Sequence, residues 1–182
     1  MEYRIRRATL ADRPALERLI AESARGLSRG DYTAEQVEAA IASVFGVDTD
    51  LIHDGTYYVA EANGGPVGCG GWSKRRTLFG GDRYGARDPG YLDAATEPAK
   101  IRAFFVHPGW ARRGVAGAIL ETCEREAKAE GFRALELMAT LPGVPFYAAR
   151  GYEGAERVSY EIAEGVTIEF MPMRKELERN DE

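Results

Sequence analysis

Trp110-Ala111-Arg112-Arg113-Gly114-Val115-Ala116-Gly117-Ala118 joins two stretches of different period. Before it, Ile101-Arg102-Ala103-Phe104-Phe105-Val106 reads as a hydrophobic strand stopped by His107-Pro108-Gly109. After it, Val115, Ile119, Cys123 and Ala127 recur at the spacing of one helix face. Small residues open that helix. Its first N–H groups have no intrahelical partner and its dipole adds positive potential, so Gly or Ala at the turn lets an anion approach the main chain. Arg112 and Arg113 add charge. Tight packing of helix on sheet would also select small residues, and the pattern is neither the G-x-x-x-x-G-K-S/T nor the G-x-G-x-x-G of nucleotide-binding turns.

Working outward, Gly131 closes the helix in the manner of a C-cap, and a strand over 134–138 completes a strand–helix–strand unit. A short helix over 144–149 ends at Gly151, and strands near 158–162 and 166–174 follow. On the N-terminal side the pattern predicts a strand over 3–8, then capping side chains over 9–12 before Pro14. Leu16, Leu19 and Ile20 mark one helix, and Val37, Ala40, Ile41 and Val44 mark a second over 33–45. Residues 56–62 and 66–73 flank Asn63-Gly64-Gly65, a hairpin signal, and the second of these strands is rich in glycine, which signals close approach by a bulge, a helix or a ligand. From 74 to 98 no period survives, and the Gly, Asp and Pro content marks a long surface loop, of the kind that can be mobile.

The chain has 182 residues, of which 45% are hydrophobic and 29% charged, enough for a core, and one domain over 1–182 is expected. A formal charge of −5 argues against a nucleic-acid partner. Residues 1–6 lack the apolar run of a secretory signal, and no stretch approaches the about 20 apolar residues that span a bilayer, so no membrane partner and a cytoplasmic location are expected. Cys69 and Cys123 read as buried thiols. With His53 and His107 the only histidines, a metal site or a Ser-His-Asp arrangement lacks raw material, and no metal is expected.

Two separated motifs carry a resemblance. Gly114 and Ala116 fill the last two defined positions of (Gln/Arg)-x-x-Gly-x-(Gly/Ala), with Ala111 where Gln or Arg usually stands. Phe146-Tyr147-Ala148-Ala149-Arg150-Gly151-Tyr152 is similar to Phe-Tyr-x-x-x-Gly-(Phe/Tyr), preceded by Thr140 where an Asn is usual. In this the chain resembles the GNAT superfamily of N-acetyltransferases. The resemblance implies an α+β fold in three layers, with a mixed, mostly antiparallel sheet of about seven strands, splayed between the fourth and fifth, flanked by about four helices.

It further implies acetyl-CoA as co-substrate, its pantetheine alongside Phe104, Phe105 and Val106, and its phosphates held by Arg112, Arg113, Gly114, Val115, Ala116 and Gly117. Tyr147 is then the general acid, and the N–H of Phe105 or Val106 stabilises the oxyanion. For the base, Glu97, Asp93, Glu61, His107 and ordered water stay open. Trp72, Tyr84 and Tyr91 are expected to meet the acceptor, an amine of a small molecule or peptide, and the acidity of the chain favours a cationic one. Monomer and homodimer are both compatible. The rival reading is a non-catalytic acyl-CoA sensor, for which Ala111 and Thr140 speak.

Overall fold

The computed structural model describes residues 2–85 and 87–179; residue 86, inside the expected 74–98 loop, and residues 1 and 180–182 of the expected domain lie outside the described residues. In chain order the strands are β1 (Arg4–Arg7), β2 (Tyr57–Ala62), β3 (Gly65–Ser73), β4 (Ala99–Val106), β5 (Ala134–Thr140), β6 (Glu153–Gly154), β7 (Val158–Ala163) and β8 (Val166–Glu176). The helices are α1 (Arg13–Leu27), α2 (Ala34–Ser43), α3 (Thr49–His53), α4 (Val115–Ala129) and α5 (Val144–Ala148). The sheet runs β1-β2-β3-β4-β5-β8-β6, with β7 on β8, and β4–β5 is the parallel pair in an otherwise antiparallel ladder. The mixed sheet flanked by helices is the architecture expected. Two elements go beyond the expectation: α3, a single turn capped where Asp48 accepts from Asp50 N–H at 2.9 Å, and the two-residue β6; both are too short to carry a period.

Each face of the sheet has its own core. On one face, Trp72, Ile119, Leu120, Cys123 and Leu135 pack under α4 and α5; on the other, Leu16, Ile20, Leu51, Cys69 and Ile168 pack under α1 and α2. The glycines of β3 serve this packing. A Cβ at Gly68 would stand 2.5 Å from Val115 Cγ1 on α4, and one at Gly71 would stand 2.5 Å from Thr56 O, so the close approach read from the sequence is a helix and a neighbouring strand.

β4 carries the feature that opens the molecule. Cys69 pairs with Phe105 and Gly71 with Arg102, so Ala103 and Phe104 together oppose Gly70, a bulge in which Ala103 adopts φ +54°. Tyr57 Oη donates to Ala103 O at 3.3 Å. On its other edge β4 pairs with β5 only at Ala99–Leu135 and Lys100–Glu136, and beyond Lys100 the two strands part.

Segment 74–98, expected as a long surface loop, carries several contacts to the rest of the fold. Arg102, 4% exposed on β4, donates to Thr77 O at 3.1 Å and Gly80 O at 2.6 Å, and lies 2.8 Å from Asp48 Oδ2. Arg87 donates to Asp48 Oδ1 at 2.7 Å and Asp50 Oδ2 at 2.8 Å, and Arg75 to both oxygens of Asp54 at 2.7 Å. These charges fasten the segment to α3 and the sheet, a long-range pairing invisible to local pattern. Removing Arg102 would leave Asp48 buried beside a single cation. Arg102→Met is expected to lower the stability by about 3–5 kcal/mol, read from the urea midpoint, and to open the chain near 77–88 to limited proteolysis.

Candidate active site

The turn into α4 places Arg112 at φ +61° and Gly114 at φ +82°. No side chain caps the helix. Ala118 N–H bonds back to Gly114 O at 3.0 Å, which leaves the N–H groups of Val115, Ala116 and Gly117 without an intrahelical acceptor. A Cβ at Gly114 would meet only Tyr3 Oη at 4.0 Å, so the turn is open. Gly117 differs: a Cβ there would collide with the guanidinium of Arg150, which lies 4.9 Å from the Phe146 ring. Arg113 folds back over Trp110 at 5.3 Å, whereas Arg112 and Arg150 line the adjoining cleft. Arg150 escaped sequence reasoning because it occupies a variable position of its motif.

From that turn a cleft of about 580 Å³ enters the gap between β4 and β5. It is bordered by Phe146 and Tyr147 on the α4/α5 face and by Phe104, Val106 and Ala139 in the gap. It continues to Leu27, Phe45 and Phe79 on the α1/α2 face. The cleft thus passes through the sheet where β4 leaves β5. Tyr147 is 8% exposed, packs edge-on against Phe104 at 6.3 Å, and its hydroxyl makes no hydrogen bond among the described residues. Burial pushes this phenol well above its usual pKa, which keeps it protonated.

His107 N–H donates to Val67 O at 2.9 Å, so strand alternation turns the Val106 N–H to the open edge of β4 and the Phe105 N–H toward β3. There the Val106 N–H donates to Ser23 Oγ at 3.2 Å. Both oxyanion candidates line the cleft, and Val106 is the one whose N–H turns away from β3, where Ser23 Oγ holds it.

Several expected site residues stand elsewhere. Trp72 is fully buried under α4, its indole donating to Glu126 at 3.3 Å, because β3 points it to the α4 face. Tyr91 is exposed and carries Arg75 4.6 Å over its ring, while Tyr84 backs Phe79 at a ring distance of 5.0 Å without lining the cleft. Glu97 lies on the surface, where its pairing with Arg76 holds its carboxyl below the usual range. Asp93 caps Ala95 N–H at 2.9 Å, and Glu61 is held by Arg6 at 2.7 Å, which lowers its pKa. His107 accepts from Gly109 N–H at 3.0 Å and faces Glu22 at 3.2 Å. Among the described residues no carboxylate and no histidine lines the cleft. The acidity of the whole chain does not reach this site.

The GCN5-related N-acetyltransferase from Rhodopseudomonas palustris superposes with a TM-score of 0.71 at 21% identity, covering 97% of each chain. PaiA N-acetyltransferase from Thermoplasma acidophilum, solved with coenzyme A, gives a TM-score of 0.66 at 15% identity over 97% of this chain and 100% of that one. A putative acetyltransferase, YncA, from Salmonella typhimurium, solved with acetyl-CoA, gives 0.63 at 14% identity over 100% and 98%. No curated protein sequence matches the chain. At these identities the structures establish the fold alone. The sequence itself goes further, since residues 18–152, from within α1 to just past α5, match the Acetyltransferase (GNAT) family, and the protein therefore belongs to that family.

Proposed function

We propose that the protein is an N-acetyltransferase that moves an acetyl group from acetyl-CoA to a primary amine by direct attack while both are bound. The observation that carries this reading is the continuity of the cleft, from the uncapped start of α4, through the gap beside β4, to a second opening beyond the sheet. The site suits the coenzyme: free N–H groups at Val115, Ala116 and Gly117 and the cations Arg112 and Arg150 fit a diphosphate, and the unpaired edge of β4 fits an amide-bearing chain. Arg150 brings to the cleft the charge that Ala111 lacks. Acetyl-CoA, when bound, supplies the activated thioester.

This chain's own residues supply the rest. Tyr147 holds a proton at Oη for the departing sulfur, and the Val106 N–H, which Ser23 Oγ accepts in the structure, is the main-chain donor that turns from Ser23 to the oxygen that gains charge. Among the described residues no carboxylate or histidine lines the cleft to act as a base. An amine entering apolar surroundings loses hydration of its charged form, so its pKa falls and the neutral nucleophile is favoured, with water carrying the proton away.

Gly114→Glu should weaken CoA binding about 100-fold by setting like charge at the phosphate turn, whereas Gly114→Asn, which tolerates left-handed φ, should stay within about threefold; calorimetric titration measures both, and equal affinities would remove the phosphate-turn assignment. Tyr147→Phe should lower kcat about 100-fold with CoA affinity retained, and wild-type turnover would retire Tyr147 as the acid.

The pH profile provides a separate check. kcat/KM should climb with the free-amine fraction of the acceptor, reach half its maximum at the acceptor's pKa and level above it. The raised pKa of Tyr147 delays any falling limb beyond about pH 10, the usual phenol value. Glu97→Gln and Glu61→Gln should leave this profile within about twofold of wild type, and a rising limb abolished by either would identify a carboxylate base.

A further inference from the structure

On the α1/α2 side of the sheet the cleft is walled by Leu27, Val44, Phe45, Leu78, Phe79 and Phe170. These walls are braced from behind. Phe79 packs against Tyr84 at 5.0 Å, Tyr160 at 4.8 Å and Phe170 at 5.6 Å, and Phe45 stands edge-on to Phe105 at 5.5 Å. The charged lining residue on this side is Arg102, whose guanidinium is already engaged by Asp48, Thr77 O and Gly80 O. No carboxylate lines this side among the described residues. At the mouth, Leu27 on α1 leaves an apolar side chain 38% exposed.

A polycation entering such a space would leave ammonium groups with no carboxylate to pair with among the described lining residues, which is strongly unfavourable. An apolar body gains by leaving water, at about 25 cal/mol per Å² buried. We propose that the acceptor is a primary amine carried on an aromatic or branched apolar body, and not a polyamine or another polycation; this rests on the acyltransfer reading above. One amine then reaches the gap beside β4 while its body fills the aromatic-walled side.

The test measures CoA thiol release by wild-type protein with 2-phenylethylamine, tryptamine and isoamylamine against spermidine and lysine, with CoA binding followed separately by calorimetry. With acetyl-CoA, kcat/KM for 2-phenylethylamine should exceed that for spermidine by about 100-fold, the scale of discrimination an apolar pocket can reach. Leu27→Asp should lower it for 2-phenylethylamine by about tenfold and raise it for spermidine, with CoA affinity unchanged. Preference for spermidine or lysine overturns the proposal while leaving acyltransfer standing. A parallel arm compares acetyl-, hexanoyl- and octanoyl-CoA: preference for octanoyl-CoA without any preference among amines gives the apolar side to the acyl chain and overturns the proposal. CoA binding with no amine turned over overturns it in favour of a sensor, and absence of CoA binding removes the acyltransfer reading beneath it.

Discussion

The parallel pairing of β4 with β5 lasts only from Ala99 to Lys100, and the cleft through the sheet follows from its stopping there. A bulge at Ala103 re-aims β4, and with the two strands apart, a row of main-chain groups on β4 is left without a ladder partner. Unpaired strand edges inside a domain are unfavourable unless something satisfies them. In this chain Ser23 Oγ takes one N–H, that of Val106, and the remaining edge borders the cleft.

Holding that gap open requires rigid walls on both faces. α4 is pressed close enough to β3 that Gly68 has no room for a side chain, which seats the helix start, with its free N–H groups, beside the gap. On the opposite face the job falls to segment 74–98, bound by Arg102, Arg87 and Arg75 to Asp48, Asp50 and Asp54. A buried ion pair of this kind adds little net stability over apolar packing, but losing one partner is severe, so its effect is to specify where the segment lies. That placement brings Leu78 and Phe79 into the cleft wall.

The same arrangement divides the charge. Cations Arg112 and Arg150 stand at the α4 end, and hydrophobic and aromatic side chains dominate the far end, with no carboxylate among the described lining residues. An anionic group and an apolar one are thereby offered different environments within one continuous space.

Local sequence was sufficient for what depends on neighbours along the chain. The hairpin at Asn63-Gly64, the helix periods of α1, α2 and α4, and the glycine turn that opens α4 at Gly114 all arise from backbone preference and side-chain alternation within a few residues, and each stands where the pattern put it. Tyr147 was legible as well, through a short motif whose spacing survives. Which side chains meet in the cleft was decided only in three dimensions. Trp72 and Phe79 are both aromatic, but the facing of β3 sends one to the core under α4, and the grip of Arg102 on the carbonyls of Thr77 and Gly80 brings the other to the cleft wall. Arg150 and the carboxylate-free lining likewise depend on contacts between residues far apart in sequence, and no local period encodes these.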